Sequence, residues 1–392
     1  MTKLGVLFSV LGVGAGCIPA FAQKQLPNII VMLSDDQGWG DLGFTGNTFV
    51  QTPNIDRIAH EGTILENFYV CPVSSPTRAE FLTGRYHVRS CVNSTTGGGE
   101  RFNLGEKTIA EYFREAGYAT SLFGKWHSGT QYPYHPNARG FEEFYGFCSG
   151  HWGNYWNPVL EHNGEIISGE GFIIDDLTDK ALDYIRDHKE HPFFMFLSYN
   201  TPHSPMQVPD SWWNRVKDRT LSQRATFPEQ EDTTFTKAAL ALAENLDWNI
   251  GRVLSLLHSL DLEQETIVIY FSDNGPNSFR WNGGMKGRKG STDEGGVRSP
   301  FCIRWPGHIR KGAVETQLSG AIDLIPTLLG LAGIEYTPLR KLDGIDWGQR
   351  LLDEKAPAID RVLYSYWGGK TSVRISYYLL DAEDHLYKTD ID

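Results

Sequence analysis

The sequence predicts an α/β fold built on a buried, mostly parallel sheet flanked by helices, and three observations point there. Four short runs are almost continuously apolar: Asn28 to Leu33, Tyr118 to Phe123, Phe193 to Leu197 and Ile267 to Phe271. Runs of that length and composition suit strands covered on both faces. Segments with helical spacing of apolar residues lie between them, at 104–116, 175–188, 236–260 and 323–332, so strands alternate with helices. Each strand run also stops at a knot of polar residues.

The first run ends in Ser34-Asp35-Asp36. The helical stretch from Leu104 stops at Gly117, a residue suited to a helix C-cap. The second run closes on Gly124-Lys125-Trp126-His127. Beyond it, Cys148 to Pro158 sets Trp152, Tyr155 and Trp156 among glycines and asparagines, which reads equally as a sugar-stacking surface or as packing under a long loop. The third run precedes Thr201-Pro202-His203, and the fourth ends in Ser272-Asp273-Asn274-Gly275. Singly, an Asp pair caps a helix and Asp-Asn-Gly makes a turn. Together they place acids, amides, a lysine and histidines at the carboxyl ends of parallel strands, where open α/β sheets bind ligands.

Composition narrows the function. The net charge is −12 over 392 residues, with no basic block to neutralise phosphates, which argues against nucleic acid as a partner. Lys3, the apolar run Leu4 to Ala15 and Ala20-Phe21-Ala22 read as a signal peptide over residues 1–22, so the protein is expected to be exported to the periplasm or beyond. That run is short for a membrane span, and no later segment is long and apolar enough for stable insertion. Gly14-Ala15-Gly16-Cys17 faintly resembles a lipoprotein box with the wrong first residue, which leaves cleavage after Ala22 the favoured reading. Cys71, Cys91, Cys148 and Cys302 are spaced for neither a zinc site nor a disulfide scaffold, and one or two disulfides stay open.

Asp35, Asp36, Asp273 and Asn274 are all oxygen donors, the ligands of hard cations. Three carboxylates converging in a crevice would otherwise repel one another and raise their pKa values. Calcium is the first choice and magnesium the second. No H-E-x-x-H motif is present, and Gly283 to Ser291 lacks the residue order of a phosphate-binding P-loop.

Residues 71–86 read Cys-Pro-Val-Ser-Ser-Pro-Thr-Arg-Ala-Glu-Phe-Leu-Thr-Gly-Arg-Tyr. This resembles the sulfatase signature, a Ser or Cys followed by x-Pro-x-Arg and a Leu-Thr-Gly-Arg segment, with Ser74 at its head; Val73 disqualifies Cys71 from that place. The resemblance runs from Pro27 to the end of the chain. It takes in Pro27 to Gly38, Gly124 to His127, Thr201 to His203, Ser272 to Gly275 and Lys289 to Arg298.

The resemblance implies an alkaline-phosphatase-like fold and a formylglycine (3-oxoalanine) made from Ser74, with its side chain near or on the cation held by Asp35, Asp36, Asp273 and Asn274. It further implies that Arg78 and Lys125 hold the hydrated aldehyde. Lys125, His203 and Lys289 would clamp sulfate oxygens, His127 would take the diol proton, and His203 or Lys289 would protonate the leaving oxygen. A helix beginning after Thr77 would aim its amides at the anion. A serine at this position implies maturation by a radical-type sulfatase-maturing enzyme before export.

The catalytic domain is expected over 23–335, with 336–392 opening a C-terminal antiparallel subdomain that stops short of the family pattern. The activity so implied is hydrolysis of a sulfate ester on a carbohydrate, with glycosaminoglycan, mucin or algal glycans as candidates. A phosphodiesterase or phosphonate hydrolase of the same fold, and an inactive sulfated-glycan binding protein, are the alternatives.

Overall fold

The computed structural model describes residues 1–2 and 26–389; the export signal and the Cys17 reading fall outside the described residues. One ten-stranded sheet dominates it. Its strands are β1 (Asn28–Ser34), β2 (Thr63–Leu65), β4 (Ala119–Lys125), β5 (Glu143–Phe147), β6 (Val159–His162), β7 (Glu165–Ser168), β8 (Phe193–Ser198), β9 (Thr266–Ser272), β10 (Phe301–Arg304) and β11 (Ala313–Glu315). They lie in the order β11-β2-β10-β9-β1-β8-β4-β5-β6-β7. The strands expected from the four apolar runs are its centre, β9-β1-β8-β4, and are parallel to one another. Antiparallel pairing is confined to β10 on one flank and to the β5-β6-β7 meander on the other.

The central strands read as unbroken apolar runs because both faces are covered. Ile29, Val31 and Leu33 point into one core and Ile30 and Met32 into the other. Helices α2 (Ser74–Thr83), α3 (Ile109–Glu115) and α6 (Leu324–Ala332) cover the first face; α1 (Pro53–Glu61), α4 (Ile173–Asp187) and α5 (Thr233–Ser259) cover the second. Each fully buried Ile or Phe contributes about 1.5–3 kcal/mol relative to exposure. Two helix starts differ from expectation. The helix expected from Leu104 begins at Ile109, because Thr108 and Glu111 form a capping box there. The helix expected after Thr77 begins at Ser74, so the nucleophile candidate lies within its first turn.

β3 (Phe68–Tyr69) and β12 (Ser319–Gly320) form a short parallel pair. β13 (Val362–Trp367), β14 (Lys370–Ile375), β15 (Tyr378–Leu380) and β16 (Leu386–Lys388) form a small antiparallel sheet. Its buried Arg374 anchors it to the main domain: Nε donates to Glu294 Oε1 at 2.7 Å and Nη2 to the Thr292 carbonyl at 3.1 Å. Cys71, Cys91, Cys148 and Cys302 are all free thiols. Tyr155 is buried and Trp152 stacks on Phe147, so much of the aromatic segment is packing; Trp156 stays 49% exposed. Among the described residues no helix is long and apolar enough to cross a membrane.

Candidate active site

Strand register decides which side chains meet. Leu33 and Gly124 both align with Ser198, and Ser34 with Ser272, so β1, β8, β9 and β4 end level with one another. The residues just past those ends share one crevice. The Asp36 amide donates to Asp273 Oδ1 at 3.1 Å, and Asn274 Nδ2 to Asp36 Oδ1 at 2.8 Å. Asp36 adopts φ +62° and His127 φ +58°. Non-glycine residues enter that left-handed region at a cost of about 1–3 kcal/mol, and such strain gathers at functional sites.

The acidic group carries a specific deficit. Asp35 Oδ1, Asp36 Oδ2 and Asn274 Oδ1 are buried without a hydrogen-bond partner. An unsatisfied buried polar atom costs about 1–3 kcal/mol, more when charged, so three convergent orphans on hard oxygen donors fit a divalent cation well. His203 Nε2 lies 3.5 Å from Asp36 Oδ2, and one atom each of Asp35, Asp36 and His203 fall within 4.8 Å of one another. The carboxylates of Asp35, Asp36 and Asp273 are matched in formal charge by Lys125, Lys289 and Arg78, which pair with them directly. Adding a divalent ion would leave the crevice net positive, which suits an anionic ligand.

Ser74 sits where this crevice meets α2. The N-cap residue is Val73, which supplies no side-chain cap, so the first-turn amides stay available to an anion. Arg78, one turn on, donates from Nε to Ser74 Oγ at 2.9 Å. Its Nη1 reaches the Lys125 carbonyl at 3.0 Å and Ser198 Oγ, and its Nη2 reaches Asp273 Oδ2 at 3.1 Å. One guanidinium thus joins nucleophile position, cation site and two strand ends. His127 Nδ1 is 3.1 Å from Ser74 Oγ, and its Nε2 is 2.9 Å from the Thr95 carbonyl. A carbonyl only accepts, so Nε2 carries the proton and the Nδ1 lone pair faces Ser74. Gly150 permits this: a Cβ there would come within 2.1 Å of His127 Nε2.

The surroundings set the charges. Burial pushes the His127 pKa well below its ordinary value, and the charges of Lys125 and Arg78 push the same way, so the imidazole is neutral. Burial alone would raise the Asp35 carboxyl, but Lys125, at 2.7 Å, with His203 and Arg78 outweighs it and holds the pKa below normal. Lys125 is lowered by its own burial, with Arg78 adding to the effect. Burial also opposes the charge of Lys289, but Asp36 and Asp35 outweigh it and hold its pKa above the ordinary value.

All the residues singled out in the sequence therefore meet: Asp35, Asp36, Asp273 and Asn274 at the strand ends, Ser74 and Arg78 on α2, and Lys125, His127, His203 and Lys289 around them. Others had passed unnoticed. Ser198 braces Arg78, and Thr77 Oγ1 donates to the Asp273 carbonyl at 2.6 Å, fixing α2 against β9. The serines closing β1, β8 and β9 in one register were the available signal for Ser198.

A family model described as Sulfatase matches residues 27–334. The N-acetylgalactosamine-6-sulfatase of Homo sapiens is 32% identical over 392 residues, spanning 91% of this chain and 70% of that protein. An uncharacterized sulfatase of Escherichia coli, YdeN, is 30% identical, spanning 88% of this chain and 70% of its own. Among solved structures, Ps i-CgsB in complex with k-i-k-neocarrahexaose superposes with a TM-score of 0.85 at 30% identity, covering 93% of this chain and 87% of that one.

Proposed function

The chain belongs to the sulfatase family, whose members are sulfuric ester hydrolases, and on that premise we propose that it removes sulfate from a sulfated carbohydrate through a formylglycine made at position 74. The observation that carries this reading is the double contact of Ser74 Oγ with Arg78 and His127 at the lip of the orphaned oxygen cluster. Carbohydrate is favoured because one relative is named an N-acetylgalactosamine-6-sulfatase and a structural neighbour is solved in complex with k-i-k-neocarrahexaose.

Asp35, Asp36, Asp273 and Asn274 would hold the cation, calcium for preference, with His203 Nε2 beside them. With the ion bound and residue 74 oxidised, the site gains a hydrated aldehyde as nucleophile and a Lewis acid to activate it. The chain's own residues do the rest. Arg78 fixes the orientation of the hydroxyl at residue 74. Neutral His127 accepts a proton at Nδ1 while Thr95 holds its Nε2–H in place. Lys125 and Lys289 meet the negative charge that grows on the sulfate oxygens. His203 or Lys289 would protonate the leaving oxygen, and the Ser204 carbonyl, 2.6 Å from His203 Nδ1, holds that ring in place. A serine at this position calls for a radical-type maturing enzyme acting before export to the periplasm or beyond.

Paired assays test this on protein made with its maturase. Sulfated and phosphorylated chromogenic esters are compared on the wild type and on Ser74→Ala. The sulfate ester is expected to turn over, and Ser74→Ala to abolish that turnover. Preferred hydrolysis of the phosphate ester, or sulfate-ester turnover surviving in Ser74→Ala, overturns the proposal.

A further inference from the structure

A cleft of about 770 Å³ opens from Lys289 toward the C-terminal sheet. Pockets of about 300–1,000 Å³ enclose a drug-sized ligand, so this volume exceeds what a sulfate group alone occupies. One wall is the two-residue hairpin turn between β13 and β14. Trp367 and Lys370 pair across Gly368-Gly369, whose φ values of +58° and +81° a side chain would strain. Paired hairpin residues present their side chains on one face, and both line the cleft. Opposite, Arg288 lies 4.7 Å over the Phe279 ring and donates only to the Asn277 carbonyl, at 2.9 Å.

The charged side chains of this cleft are unevenly paired. Lys286 pairs with Asp293 at 3.3 Å and Asp381 at 3.4 Å, and Glu383 lies 4.0 Å from His385. Arg288 and Lys370, by contrast, have no carboxylate partner among the described residues. A protein of net charge −12 thus presents two cations without an ion-pair partner, flanked by aromatic faces, beside the residue that contacts Asp36. Cations free of a carboxylate partner can meet an anion directly, and aromatic faces suit the apolar faces of sugar rings.

We propose that this cleft recognises a second anionic substituent, borne by a sugar unit next to the one desulfated, with Lys370 and Arg288 meeting the charge and Trp367 carrying the ring. The inference rests on the sulfatase reading above and narrows it: the preferred substrate is an oligosaccharide with a sulfate or carboxylate beyond the sulfate removed.

The test uses the matured full chain and three disaccharides sharing one scissile sulfate: one with a neutral neighbour, one with a sulfated neighbour and one with a uronic acid neighbour. The second anion is expected to raise kcat/KM about tenfold, the scale of one charge-assisted contact. Lys370→Gln with Arg288→Gln is expected to shrink that ratio to near one. Whichever anionic neighbour gains the advantage identifies the substituent. Equal kcat/KM on all three, or a ratio unchanged in the double variant, overturns the inference while hydrolysis of the neutral disaccharide keeps the sulfatase reading intact. No hydrolysis of any of them would sink that reading instead.

Discussion

Stripping divalent cations with EDTA leaves Asp35 Oδ1, Asp36 Oδ2 and Asn274 Oδ1 buried with nothing to satisfy them. At about 1–3 kcal/mol for each such atom, the unfilled site carries a deficit of several kcal/mol that unfolding would relieve. Mass action bounds what an ion can return: about 4 kcal/mol at a concentration a thousand times Kd. For a chain of this size that is a rise in Tm of about 5 °C. Differential scanning calorimetry of the EDTA-treated protein, with calcium or magnesium added back in steps, reads the effect directly. Calcium is expected to raise Tm by about that much, to do so at lower concentration than magnesium, and to lose its effect in Asp36→Ala. A Tm indifferent to both ions at millimolar levels, or a full calcium shift surviving in Asp36→Ala, would refute the reasoning.

Three further outcomes follow from the same geometry. Arg78→Met strands Asp273 Oδ2 in the interior and leaves the Lys125 carbonyl only its bond from Ser198 Oγ; breaking a buried pair costs about 3–5 kcal/mol, visible as a lower urea midpoint at unchanged slope. A midpoint within experimental error of wild type would show the pair to be dispensable. His127 acts only when neutral, and its pKa is pushed below the ordinary value by burial and by Lys125 and Arg78. The acidic limb of kcat is therefore expected below about pH 6.5, the unperturbed histidine value. Lys125→Met removes one of those positive charges, so the limb of its residual activity should move to higher pH; a limb that stays or moves lower contradicts the assignment of His127 as base.

Much of the central sheet was legible because strands buried on both faces must be apolar at every position, as Ile29 to Leu33 are. The site was legible for a related reason: parallel strands end at one edge, so polar residues after Leu33, Phe123, Leu197 and Phe271 had to converge. The flanking strands were not. Thr63–Leu65 and Ala313–Glu315 are three residues each, too short to show any alternation, and gain their identity from pairing with strands distant in sequence. The start of α2 lies ahead of the expected one because Val73 offers no capping side chain to mark it. For Ser198 the sequence offers a position only, a serine closing one of three apolar runs; the guanidinium of Arg78, brought from 120 positions away, gives it a role.

Peptide mass spectrometry across residue 74, on protein co-produced with a radical-type maturase, bears most directly on the nucleophile. The peptide holding that position is expected to be lighter than its encoded mass by two hydrogen atoms, as oxidation of the serine alcohol to an aldehyde requires, and Ser74→Ala to show no such loss. An unmodified serine in protein that still releases sulfate would contradict it.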